Sequence, residues 1–73
     1  MIIDKVIELL ADQLDMNKNE INENTTFEDL GVDSLDAVEI TREMEDEFGV
    51  ELKPTEVGKS VKDLVACLNA KLA

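Results

Sequence analysis

Asp33-Ser34-Leu35-Asp36 sets one serine hydroxyl between carboxylates, where Leu30-Gly31-Val32 gives way to an acidic amphipathic segment running from Ala37 to Phe48. A serine hydroxyl is a poor nucleophile unless a nearby base takes its proton. The chain has no histidine and one cysteine, Cys67, so Ser-His-Asp and Cys-His catalysis are excluded. Lysine is another possible base, but Lys18, Lys53 and Lys59 all lie far from Ser34 in sequence. The hydroxyl therefore reads as one that is modified rather than one that attacks. A phosphate ester suits the position, because a helix start offers unpaired N–H groups and a partial positive charge. The simpler alternative is that Ser34 helps Asp33 cap the helix, and for an arbitrary Asp-Ser pair that alternative prevails.

The net charge is −11 in 73 residues, and its whole excess lies around this serine. Residues 19–52 hold twelve acids against Arg42 alone, whereas the rest of the chain balances six acids against six bases. Such a field repels nucleic acid and anionic membranes and draws basic protein surfaces. An acidic face kept for solubility is the plainer reading. The absence of histidine and the single cysteine exclude the usual zinc ligand sets and any internal disulfide. Cys67 reads as a small core residue in a protein of a reducing compartment. No apolar run nears the roughly 20 residues that span a bilayer. Met1-Ile2-Ile3-Asp4-Lys5 lacks the pattern of a signal peptide. The expectation is a cytoplasmic monomer that does not insert into membranes.

Helices must position the serine. Hydrophobic residues make up 44% of the chain with only two aromatics, Phe27 and Phe48, so one small domain over 1–73 must build an aliphatic core. Ile3, Val6, Ile7, Leu10 and Leu14 repeat at the spacing of one helix face, predicting a first helix from about 3 to 15. Residues 16–33 form a long polar loop rich in asparagine (Asn17, Asn19, Asn22, Asn24), pinned to the core by Ile21, Phe27, Leu30 and Val32. A second helix starts at Asp33 or Ser34 and ends near Phe48, with Gly49 as its stop. Val50 to Pro54 is an extended connector, and Thr55-Glu56-Val57-Gly58 is expected to form a short third helix of one turn. Ser60-Val61-Lys62-Asp63 reads as a capping box. Val61, Leu64, Val65, Leu68 and Leu72 then predict a last helix from about 61 to 72. The fold class is all-α: three main helices plus a short third helix before the last.

Stepping about 100° per residue separates the faces of the second helix. Ala37, Val38, Ile40, Thr41, Met44 and Phe48 share an apolar arc, while Asp36, Glu39, Glu43, Asp46 and Glu47 share an acidic one. Glu45 falls inside the apolar arc. Leu35 falls outside it, beside the acidic stripe and next to the serine, where a partner-contact role competes with that of an ordinary exposed leucine.

Leu30-Gly31-Val32-Asp33-Ser34-Leu35-Asp36-Ala37-Val38-Glu39 resembles the modification-site signature of acyl carrier proteins. The similarity continues through Glu45-Asp46-Glu47-Phe48-Gly49-Val50-Glu51-Leu52 and, more weakly, over nearly the whole chain. The resemblance implies a four-helix bundle with 4′-phosphopantetheine on Ser34, donated from coenzyme A by a phosphopantetheinyl transferase using magnesium. The chain would be no enzyme but a carrier of acyl chains as thioesters. The resemblance also implies that Asp33, Leu35, Asp36, Glu39 and Glu43 dock on basic patches of fatty-acid synthesis enzymes. Val38, Thr41 and Met44, with Leu64 opposite, are candidates to line a pocket for the acyl chain; ordinary core packing is the alternative for all four. Only Thr55 to Lys59 separate Pro54 from Ser60, a shorter stretch than many fatty-acid carriers have. A polyketide or D-alanyl carrier therefore stays open beside the fatty-acid type, as does an unmodified acidic interaction module. A calcium loop starting Asp15-x-Asn17-x-Asn19 fits poorly, because Glu20 stands where glycine is needed and Thr26 where a bidentate glutamate is needed.

Overall fold

A computed structural model describes residues 2–53 and 55–72 of the chain. Its three helices are α1 (Ile2–Leu14), α2 (Ser34–Phe48) and α3 (Val61–Leu72), with a 3-10 turn at Lys18–Glu20. α1 packs against both α2 and α3. Each helix buries one stripe: Val6, Leu10 and Ala11 from α1, Ile40, Thr41 and Met44 from α2, and Val61, Leu64 and Leu68 from α3. The largest fully buried side chains are Leu10, Met44, Leu64, Leu68, Val6 and Val61, so the core is aliphatic as composition requires. Phe27 and Phe48 pack half-buried against it. Burying one such aliphatic side chain contributes about 1.5–3 kcal/mol, so a domain this small depends on nearly every one.

The long connection from Asp15 to Asp33 is ordered by its own polar side chains. The Asn22 Oδ1 accepts the Asn24 N–H at 2.8 Å, and the Glu20 carboxylate accepts the Asn17 N–H at 3.2 Å. Ile21 is buried, and Phe27, Leu30 and Val32 pack partly buried on the core. The loop also supplies partners to the start of α3. Val61 N–H donates to Thr25 O at 3.0 Å, Lys62 N–H to Glu23 O at 2.9 Å, and Asp63 N–H to the Ser60 Oγ at 3.3 Å. These three bonds satisfy donors that a helix N-terminus leaves open. The reciprocal half of the expected box is shifted by one residue: the Asp63 carboxylate accepts from Lys59 N–H at 3.2 Å.

The short third helix does not form among the described residues. Residues 55–57 are turn and bend, and Pro54 lies outside the described residues. Five residues between Pro54 and Ser60 leave little length for a helical nucleus. Gly58 then takes φ 77°, a left-handed conformation that ends any right-handed turn, and an added Cβ there would strike the Asp63 side chain. The turn is held by the buried Val57 and by Glu56. The Glu56 carboxylate accepts the Lys53 N–H at 2.9 Å and pairs with Lys71 Nζ of α3 at 3.0 Å. Among the described residues no helix is long and apolar enough to cross a membrane.

Lys71 and the Lys53 N–H hold the Glu56 carboxyl below the usual glutamate range, while Glu56 holds the Lys71 ammonium above the usual lysine range. A lowered carboxyl pKa stabilises the fold fully above the unfolded value, and that contribution is lost as pH falls through the folded one. A raised lysine pKa acts in reverse: its contribution is lost as pH rises through the folded value. Glu56→Gln should therefore lower the Tm slightly at pH 7, and the gap from wild type should close below about pH 4. Thermal melts across pH check this; a gap that persists unchanged in acid contradicts it.

Candidate modification and docking site

Asp33 fixes where α2 begins. Its backbone is extended, and its carboxylate accepts the Asp36 N–H at 2.9 Å, while its carbonyl accepts the Ala37 N–H at 2.9 Å. Asp33 is therefore the cap, and Ser34 is the first helical residue with an exposed side chain. Gly31, at φ 71°, turns the chain into this start, with its N–H on Glu28 O at 3.0 Å. At the other end Gly49 takes φ 66° and donates its N–H to Glu45 O, the left-handed stop expected of glycine.

The chain has one other serine, Ser60, and the structure treats the two differently. Ser60 is half-buried, forms a backbone bridge with Thr26, and accepts the Asp63 N–H on its Oγ. Ser34 stands in solvent at the positive end of a 15-residue helix.

Around Ser34 lies a surface of mixed character. Leu35 is 77% exposed, the most exposed large hydrophobic among the described residues. Asp33, Glu39 and Glu43 are exposed and Asp36 half-exposed. Two of the acids on α2 meet α1. The Gln13 Nε2 donates to the Glu39 carboxylate at 3.0 Å, and Lys5 Nζ pairs with Glu47 at 3.8 Å. Glu45, the acid inside the apolar arc, is half-buried because its carboxylate accepts the Leu52 N–H at 3.3 Å. It supports the connector after α2 rather than the acidic surface.

Beneath this start lies an apolar cavity of about 80 Å³. Phe27, Val32, Ala37, Ile40, Thr41, Val57, Gly58 and Leu64 line it. Thr41 and Leu64, two of the four pocket candidates, therefore face the same cavity. Met44 is wholly buried in the core and Val38 is 40% exposed; neither lines the cavity. Thr41 is accommodated in this apolar wall because its hydroxyl donates to Ala37 O at 2.7 Å, leaving its methyl to pack. Sequence reasoning missed Ala37 and Ile40 as cavity residues although both lay on the apolar arc. Phe27 and Val32 were legible as core anchors of the loop but not as cavity residues, and Val57 and Gly58 carried no signal, because the place of all four depends on how two loops fold back.

Residues 4–68 match the protein family described as Phosphopantetheine attachment site. The chain is also similar to a protein named Acyl carrier protein from Streptococcus thermophilus (strain CNRZ 1066), with 36% identity over 70 residues, 96% of this chain and 95% of that relative. The chain belongs to the acyl carrier protein family. It is a non-catalytic carrier that works with phosphopantetheine, acyl chains and the enzymes of an acyl pathway. A non-catalytic carrier needs no general base, in keeping with a chain that has no histidine.

Separation of cap from hydroxyl has a measurable consequence. Asp33→Ala removes the cap and should cost about 1 kcal/mol of stability in urea unfolding. Ser34→Ala should stay within about 0.5 kcal/mol of wild type. The reverse order would mean that Ser34 is the cap.

Proposed function

We propose that Ser34 carries 4′-phosphopantetheine, that a separate transferase places it there from coenzyme A, and that residues 1–73 act as one carrier unit in fatty-acid synthesis. The observation that carries this reading is the freed hydroxyl: Asp33 does the capping, so Ser34 Oγ is exposed at the start of α2. The residues suit the group. A phosphate on Ser34 meets the N–H groups and positive dipole of the first turn, which offset the nearby carboxylates. When bound, the group supplies a thiol that holds an acyl chain as a thioester.

The chain's own residues then have two tasks. Asp33, Asp36, Glu39 and Glu43 present negative charge to basic patches of the transferase and pathway enzymes, and Leu35 offers the apolar contact between them. Exposed charge pairs each contribute little but speed association, which suits a carrier that must leave quickly. The cavity under the serine is the second task. Val32 and Ala37 line it within three residues of Ser34, so an arm anchored on that serine must fold back to bring its acyl chain to these walls. The cavity is about half the size of the roughly 150 Å³ apolar void that admits benzene. It therefore has room for no more than a few carbons as it stands, with Thr41 and Leu64 on its sides; a longer chain requires the walls to part. The Asp-Ser-Leu-Asp-x-Val-Glu run and the strong acidity support the fatty-acid type over a polyketide or D-alanyl carrier.

Incubation with coenzyme A, magnesium and a broad-specificity phosphopantetheinyl transferase should add one phosphopantetheine to the unmodified wild type and none to Ser34→Ala, read by intact mass. Folded Ser34→Ala that still gains the group would contradict the assignment. No gain by a folded, unmodified wild type would favour an acidic module that works without modification.

A further inference from the structure

We infer that Gln13 of α1 belongs to the docking surface, as a positioning residue for the Glu39 carboxylate; this rests on the reading of the acidic face as the docking site. Two α1 side chains reach the acids of α2, and they differ in charge. Lys5 lies 3.8 Å from Glu47 and 4.0 Å from Glu8, so α1 sets an opposing charge beside the Glu47 carboxylate. Gln13 lies 3.0 Å from Glu39, so that carboxylate is held without being neutralised. An amide donor fills one lone-pair direction of the carboxylate and leaves the rest to an incoming cation. It also restricts a glutamate rotamer that an incoming partner would otherwise have to order. Glu39 lies five residues from Ser34 and Glu47 thirteen, so the charge kept free is the charge nearer the serine. α1 thereby treats the two carboxylates differently, and sets no opposing charge against the one nearer the hydroxyl. The partner that fits is a surface bearing arginine or lysine, placed to meet both Glu39 and the amide edge of Gln13. Guanidinium is the better match, because its fork can bind the carboxylate while its plane lies along the amide.

A cation at position 13 separates positioning from stability. Gln13→Lys would pair with Glu39, hold the fold at least as well, and remove docking charge. The experiment measures transferase kinetics on the unmodified protein, with thermal melts of each variant. Gln13→Ala should raise KM about three-fold at unchanged kcat, as expected when one side chain loses its preordering. Gln13→Lys should raise KM further, about ten-fold, with no loss of Tm, and added salt should narrow its gap from wild type. Gln13→Ala should have little effect in a Glu39→Ala background. If Glu39→Ala raises KM while neither Gln13 variant does, Gln13 has no part in docking and the inference is overturned. If Glu39→Ala itself leaves KM unchanged, the docking reading fails at this position and the inference falls with it.

Discussion

The whole arrangement depends on α2 having two faces that do opposite things. Ile40, Thr41 and Met44 are needed by a core that has no large aromatic centre to replace them. Their burial fixes the rotation of the helix about its axis. Once that rotation is set, the 3.6-residue repeat leaves Leu35, Glu39 and Glu43 no place but the surface. No separate structural element is thus needed to hold these side chains at the surface. A fold with a marginal core holds a dense negative surface because the same helix that carries the charge also closes the core.

Both ends of α2 are fixed by devices that leave the serine alone. Asp33 caps the start and Gly49 ends it in the left-handed region, with Glu45 tying the following connector back through Leu52. The cap is the chemically decisive device. If Ser34 Oγ accepted the capping N–H, a modification there would have to break the helix start. Ser60 shows that alternative in the same chain: its hydroxyl caps α3 and is half-buried. Two serines at two helix starts are thereby given different surroundings by a difference of one residue in position.

Much of this was legible in the sequence because it rests on local rules. Spacing gave α1, α2 and α3 to within about a residue, and Gly49 marked its helix end. The face calculation placed Leu35 outside the apolar arc, and the structure leaves it largely exposed. The illegible parts are those that depend on where distant segments meet. The expected short helix at 55–58 gives way to a turn, because Gly58 packs against Asp63 and Glu56 is drawn to Lys71. Val38 and Met44 shared the apolar arc with Thr41, yet only Thr41 faces the cavity, since Phe27, Val32 and Val57 decide where that cavity lies. Glu45 looked like a flaw in the pattern until its bond to the Leu52 N–H supplied the reason. Gln13 showed nothing in sequence, for its partner lies 26 residues away.

The central claim is that the exposed serine at the start of α2, and not the engaged one before α3, bears the carrier's arm. Fragmentation mass spectrometry of the phosphopantetheine-bearing protein tests it most directly, by mapping the added group to one peptide. The account predicts the group on Ser34 alone. Finding it on Ser60, or on one of the threonines, would contradict it.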